Sequence, residues 1–446
     1  MSTSPGHTLV VGAGLAGLAA AWRLARAGAR VSVLESEGRA GGRLAGERVD
    51  GHCLAPVPAL IGAGDVRLQG WIAELGLRDE MLPAKPVTTA FAARDGLRDV
   101  ALRSLGDVAR VPGVRFLHAR RLVRLPRLLA RHGPGLALGA ASEAEQIDDR
   151  SLADFARLYF GASALEHWMA PFACSGSLGD PDEMSRVHFL QQLSTQGLSR
   201  PGALRGSLGD LIERAAAGVD LVTGCRVLRI EPDSDGGFRL LAADGRSFAG
   251  DAVVVATPAS AAAELADPLL STPERRFLRG VRYVPAFSVA AALCRPLAPR
   301  ARQVLPPVHA SAPLGYALVE PGLRGGRVPA GRGLATLRAT GGFAVAHPET
   351  PDETLEKELI ADLDRLWPGF AGSVEFTRVF RHRFGAPRFD VGAYRALARF
   401  RRVQTDRRAS GRRLTFAGDY LVHASPEGAV RAGERAAAEL LGAAFD

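Results

Sequence analysis

The stretch Leu9-Val10-Val11-Gly12-Ala13-Gly14-Leu15-Ala16-Gly17 decides the fold. Its apolar opening reads as a short strand, and the glycines turn the chain directly into a helix whose apolar positions continue to Ala27. Gly28 ends that helix, and Val31 to Leu34 form a second β-type run closed by Glu35. Together they make a strand-helix-strand unit of about thirty residues. A diphosphate needs backbone N–H donors presented together, and a helix N-terminus supplies them along with roughly half a positive charge. Gly12 permits the tight turn, Gly14 lets the backbone approach the diphosphate, and Gly17 lets helix and strand pack closely, while Ala13, Leu15 and Ala16 complete the loop.

Glu35 lies eighteen residues past Gly17 at the tip of the second strand, with Ser36 beside it. There its carboxylate can accept hydrogen bonds from ribose hydroxyls. NAD and FAD share this fingerprint, and the continuation Arg39-Ala40-Gly41-Gly42-Arg43 separates them. Two more glycines allow a second close backbone approach, and a guanidinium pairs with phosphate oxygens, so the extension favours FAD. Gly62 to Gly64 lacks a flanking strand and helix of this kind and reads as a plain loop.

A chain of 446 residues with 47% hydrophobic and 23% charged residues is an ordinary globular protein of two or three domains. The formal charge of +9 is compatible with nucleic acid, an anionic membrane or an acidic substrate. Its source is almost wholly arginine, Lys85 and Lys357 being the lysines, so an arginine-rich codon bias accounts for much of it and no nucleic-acid partner is expected. Cys53, Cys174, Cys225 and Cys294 lie far apart without metal-ligand spacing, so neither a metal site nor a disulfide framework is expected and a reducing, cytoplasmic setting fits best. Neither a signal peptide nor an apolar run of the ~18 residues that span a bilayer is found.

Further along, Ser151 to Met169 is helical in pattern. Val219 to Ile230, Phe238 to Leu241 and Asp251 to Ala256 read as strands, as do Ser288 to Leu293 and Arg413 to Ala417, and Glu353 to Leu366 and Glu427 to Leu441 as helices. The domains are therefore expected to interleave. Residues 1–80, 205–260 and 400–446 form the nucleotide domain, 81–204 a helical insertion, and 261–399 a substrate domain.

The stretch Val10 to Leu44 resembles the opening motif of the FAD-containing amine-oxidase superfamily, which includes monoamine oxidases, protoporphyrinogen oxidases and phytoene-type desaturases. Phe416-Ala417-Gly418-Asp419-Tyr420 and Pro426-Glu427-Gly428-Ala429-Val430 resemble its closing motif. The resemblance implies an α/β (α+β) chain with a Rossmann-like FAD-binding domain of the glutathione-reductase type and an interleaved substrate domain carrying a mixed or antiparallel sheet. It implies that Gly418 and Asp419 meet the diphosphate and ribityl chain, that Gly428 and Ala429 approach the isoalloxazine, and that Val227, in Cys225-Arg226-Val227, contacts adenine through its backbone.

Within the superfamily, monoamine oxidases carry a lysine on a substrate-domain strand, where this chain has Ser288, and an aromatic residue before the Glu-Gly-Ala, where it has Ala424, Ser425 and Pro426. Amine oxidation is thus disfavoured. Gly179-Asp180-Pro181-Asp182-Glu183-Met184-Ser185 and Pro387-Arg388-Phe389-Asp390-Val391-Gly392 are similar to strings of protoporphyrinogen oxidases. That likeness implies dehydrogenation of a largely apolar small molecule by hydride transfer to flavin N5, as in protoporphyrinogen or coproporphyrinogen oxidase. Ala424 to Val430 also resembles the carotenoid and isoprenoid desaturases, which stand as the alternative. Gly206-Ser207 in place of a double glycine, and Arg383-Phe384 in place of a tryptophan, are departures that keep a catalytically degenerate, flavin-bound partner subunit as a third reading.

Such chemistry asks the protein for a dry, shaped cavity more than for reacting side chains. No catalytic residue is assigned, and His423, after the Gly-Asp turn, reads as polar packing. Val114 to His132 interleaves Arg115, Arg120, Arg121, Arg124, Arg127 and Arg131 with apolar residues, and Pro126 interrupts it. This segment fits a peripheral contact with the inner face of a membrane, a solvated helix over ordinary core, or pairing with substrate carboxylates.

Overall fold

The computed structural model describes residues 6–82, 87–198, 202–308, 312–321, 326–443 and 445. β1 (His7–Val11), α1 (Leu15–Arg26) and β2 (Arg30–Leu34) form the expected opening unit. After α2 (Val66–Glu74) come a hairpin, β3 (Thr88–Ala93) and β4 (Gly96–Val100), and the helices α3 (Phe116–Arg121), α4 (Leu125–Arg131), α5 (Leu152–Tyr159), α6 (Arg186–Gln196) and α7 (Leu208–Ala216). Strands β5 (Asp220–Val222), β6 (Val227–Pro232), β7 (Phe238–Ala242), β8 (Ser247–Gly250) and β9 (Ala252–Val255) follow. The remainder comprises β10 (Tyr283–Leu293), β11 (Arg302–Leu305), β12 (Leu314–Pro321), β13 (Gly333–Ala339), β14 (Val374–Pro387), α8 (Ala393–Ala409), β15 (Leu414–Phe416) and α9 (Pro426–Leu441).

The first sheet has the order β5-β2-β1-β9-β15 and is parallel throughout. Helices cover both faces of such a sheet, which is why Leu9 to Val11 and Val253 to Val255 are nearly continuous apolar runs, all buried. Helix α9 crosses α1 closely: a Cβ on Gly433 would sit 2.2 Å from the Ala16 carbonyl oxygen. Arg23 of α1 ties the packing together, bonding Glu434 of α9 at 2.9 Å and Glu74 of α2 at 2.5 Å. The N- and C-terminal stretches are thereby one layered unit.

The second sheet has the order β14-β10-β13-β12-β11-β3-β4, antiparallel except for β11 beside β3. The hairpin β3-β4, which the sequence places within the helical insertion, extends this sheet instead. Its local pattern carries no mark of a partner more than two hundred residues away in the chain. The expected strand Val219 to Ile230 is two strands in different sheets, β5 in the parallel sheet and β6 in the three-stranded meander β6-β7-β8. The turn between them is drawn off line by hydrogen bonds from the Gly224 and Cys225 N–H groups to the carbonyls of Glu37 and Glu35. Pro126 does not break its segment. The break is a 3-10 turn over Leu122–Arg124, and Pro126 stands in the first turn of α4, where its missing N–H costs nothing.

Candidate functional site

At the end of β1, Gly12 adopts φ +104° and donates its N–H to the Leu34 carbonyl at 2.8 Å. A Cβ on Gly17 would lie 2.0 Å from the Gly12 carbonyl oxygen, so Gly17 is what lets α1 start against the strand. Gly14 differs: it is the N-terminal cap of α1, no side chain caps that end, and a Cβ there would meet nothing within 4 Å. The first-turn N–H groups of α1 thus face open space, as a diphosphate requires. Leu15 and Ala16 are buried helix residues behind that end.

The second glycine loop closes on the first. Gly41 (φ +123°) donates to the Ala13 carbonyl at 2.9 Å, and a Cβ on Gly42 would be 3.7 Å from the Gly14 Cα. Glu35 is buried, and its carboxylate accepts from the Ala13 N–H at 2.7 Å, the Glu37 N–H at 2.9 Å and the Ser36 hydroxyl at 3.1 Å. These bonds hold the acid at the lip of the loop with about one lone-pair site left over for a ribose. Val227 opens β6 at a bulge and is two residues from Cys225, whose N–H binds the Glu35 carbonyl, so Val227 and Glu35 are gathered together.

The two expected phosphate-pairing arginines are otherwise engaged. Arg39 is exposed and donates to the Gly46 carbonyl at 2.9 Å. Arg43 forms a bidentate pair with Asp419, at 2.7 and 2.8 Å, and donates to Gly385 of β14 at 3.0 Å. It joins the first loop, the closing motif and the second sheet. The Tyr283 hydroxyl beside it accepts from the Ala259 N–H at 2.9 Å, and burial pushes that phenol well up. Burial and the nearby Arg43 push His382 down to about 4. The His382 Nε2 and the Tyr420 hydroxyl are buried and have no protein partner among the described residues, so a ligand that satisfies them is stabilised there.

The closing helix is built for approach. Ser425 caps α9 and accepts the Gly428 N–H at 3.1 Å, and a Cβ on Gly428 would collide with the His423 carbonyl oxygen at 2.1 Å. Ala429 is buried on the same turn. Glu427 points elsewhere: fully buried, it accepts the Leu68 N–H at 2.8 Å and the Arg67 N–H at 3.2 Å and pairs with Arg431 at 2.6 Å, capping α2 with a carboxylate. Asp419 and the free N–H groups at Gly14 form a donor and acceptor set that fits the diphosphate and ribityl chain of FAD, with Glu35 at the ribose.

A buried ring column adjoins this site. His188 of α6 stacks between Phe389, at 4.9 Å, and His423, at 4.2 Å, and its Nδ1 lies 3.3 Å from the Tyr394 hydroxyl. Burial, reinforced by His423, holds the His188 imidazole far below its ordinary value, so it is neutral. His423 is therefore in ring packing, its Nδ1 3.1 Å from the Ser425 hydroxyl. Sequence reading missed His188; its signal was the i, i+4 row His188, Gln192 and Gln196 on one helix, all buried.

One face of the second sheet packs on the helix Asp352–Leu366 through Val289, Ala291, Ala335, Leu337 and Ala317. By alternation the other face carries Ser288, Ala290, Tyr316, Leu318, Thr336 and Arg338. Tyr316 and Leu318 join the apolar cluster shared with the insertion and the first sheet. Ser288 and Arg338 are in register, and the Arg338 guanidinium, mostly buried, lies 5.7 Å from the Tyr316 ring centre. Lys357 is exposed on the outer helix, and Lys85 lies outside the described residues. Phe384 packs edge-on against Tyr283 at 5.4 Å, with Arg383 over its ring at 5.6 Å. The second departure, Ser207, caps α7 in a reciprocal box with Asp210.

Residues 15–441 match the family model described as flavin containing amine oxidoreductase. A Mycobacterium tuberculosis protein named "Putative flavin-containing monoamine oxidase AofH" is 29% identical over 289 residues, covering 60% of this chain and 61% of that protein, so the chain spans less than two thirds of that relative. Two solved structures share the fold. A putrescine oxidase redesigned in its cofactor binding has a TM-score of 0.77 at 18% identity, covering 98% of this chain and 100% of its own. "Putative protoporphyrinogen oxidase" from Exiguobacterium sp. 255-15 has a TM-score of 0.73 at 18% identity, covering 98% of each.

Proposed function

Because the chain belongs to the flavin-containing amine oxidoreductase family, we propose that it is an FAD-dependent oxidoreductase that dehydrogenates a largely apolar substrate, most like protoporphyrinogen or coproporphyrinogen. Bound FAD supplies, at N5, the acceptor for a hydride leaving a substrate carbon. The chain's own part is to hold and seal. Gly14 and the α1 terminus would hold the diphosphate, Glu35 the ribose, and Asp419, steadied by Arg43, the ribityl chain. The α9 terminus would offer its partial positive charge to the isoalloxazine, and the ring column with Tyr316 and Leu318 would exclude water.

The observation that carries the substrate class is the apolar inward face of the second sheet. Tyr316 and Leu318 of that face join the buried apolar cluster shared with the insertion, and Ser288 stands there where monoamine oxidases carry a lysine, which supports a largely apolar substrate over an amine. The likeness to a named monoamine oxidase supports amine oxidation as the second reading. Anaerobic mixing of the purified flavoprotein with coproporphyrinogen, protoporphyrinogen, a linear polyene and a primary amine separates them by bleaching of the flavin band. We expect bleaching by a porphyrinogen. Bleaching by the amine alone overturns the proposal.

A further inference from the structure

We propose that the face formed by α3 and α4 is a docking surface for an anionic lipid bilayer. From Val108 to Ser142 the chain contains no acidic residue, while Arg115, Arg120, Arg121, Arg124, Arg127 and Arg131 all fall within it. All six are exposed, and none has a carboxylate within ion-pair distance among the described residues. Arg110, Arg150, Arg157 and Arg186, elsewhere in the insertion, each pair with an aspartate.

Charge is half of the argument. Among the described residues eight large apolar side chains are exposed, and three of them, Phe116 (69%), Leu117 (68%) and Val123 (71%), fall within this one short stretch. Ala119, Leu122 and Leu125 turn inward, so the exposed trio is not core that has failed to pack. Arg120 lies over the Phe116 ring at 6.0 Å, placing guanidinium and aromatic side by side. A bilayer interface matches both components, with headgroup phosphates for the arginines and the acyl boundary for the apolar trio. A second copy of this chain is disfavoured, because a two-fold contact through this face sets arginine against arginine. A nucleic acid satisfies the charge and leaves the apolar residues in water.

The test is flotation of the holoprotein with vesicles of three parts phosphatidylcholine to one part phosphatidylglycerol, beside vesicles of phosphatidylcholine alone. The wild type is expected to float with the anionic vesicles only. Each arginine contributes about fivefold, so Arg120→Gln/Arg121→Gln/Arg124→Gln should weaken binding on the order of a hundredfold. Phe116→Ser/Leu117→Ser/Val123→Ser should weaken it at least about tenfold. Circular dichroism melting and flavin absorbance confirm that both variants are folded. The proposal is overturned if the wild type fails to float, if the serine variant binds as well as the wild type, or if duplex DNA displaces the vesicles at equal phosphate concentration.

Discussion

The nucleotide unit and the second sheet with its insertion follow opposite logics. In the first, each critical residue answers to a neighbour fixed by local chain geometry: Gly12 to a turn, Gly17 to the carbonyl five residues back, Gly14 to open space. In the second, each critical residue answers to a partner far away, as β3 does to β11 and His188 to His423. A region built on local contacts advertises itself in sequence, whereas one built on distant contacts does not.

Glycine substitutions should divide the nucleotide unit most sharply. Gly17→Val drives side-chain atoms into the Gly12 carbonyl, and we expect a loss of ~3 kcal/mol or more and largely insoluble protein. Gly14→Ala meets nothing, so the melting temperature of the apoprotein should hold while FAD affinity falls roughly tenfold to a hundredfold. Titration of apoprotein with FAD reads the difference; equal effects from both substitutions would refute the division of roles.

Carboxylate deletions compare the two regions directly. Glu427→Ala strands Arg431 and two N–H groups of α2, and Asp148→Ala strands the Ser185 hydroxyl and the Tyr394 N–H that fasten the insertion to α8. We expect ~3–5 kcal/mol for the first, which breaks a buried ion pair, and ~1–3 kcal/mol for the second. Urea unfolding gives both values, and the reverse order contradicts the reading of Glu427 as a structural cap.

Acid should act through the histidines of the junction. His188 and His382 are held below their unfolded value of about 6.5, so the folded state binds fewer protons than the unfolded state under acid. Stability from these groups is constant above pH ~6.5 and falls as pH drops toward about 4 through the His382 window, by at most ~1.4 kcal/mol per unit for each histidine. His382→Gln should flatten that slope in pH-dependent melting. The smallest effect belongs to the exposed pair Arg157–Asp182, where Arg157→Ala should change stability by less than ~0.5 kcal/mol.

The local geometry of the candidate site was legible for these reasons. Gly12 to Gly17, Glu35, Gly42, Gly418, Asp419, Gly428 and Ala429 stand where turns and helix ends require them. The partners of Arg39 and Arg43 were not legible, because a sequence shows a guanidinium but not what it meets: Arg39 meets the Gly46 carbonyl, and Asp419, almost four hundred residues on, takes Arg43. The split of Val219 to Ile230 was hidden because both halves are good strands, and only the hydrogen bonds to Glu35 and Glu37 separate them. Arg338 and His188 carried no motif at all. Their importance comes from burial opposite other segments.

The closure of two ends of one chain around a single FAD has a direct readout. It is tested most directly by the visible spectrum and flavin content of the purified protein. A yellow protein with one FAD per chain, released by denaturation and lost in Asp419→Ala, is expected. A colourless protein that stays colourless after incubation with FAD would contradict it.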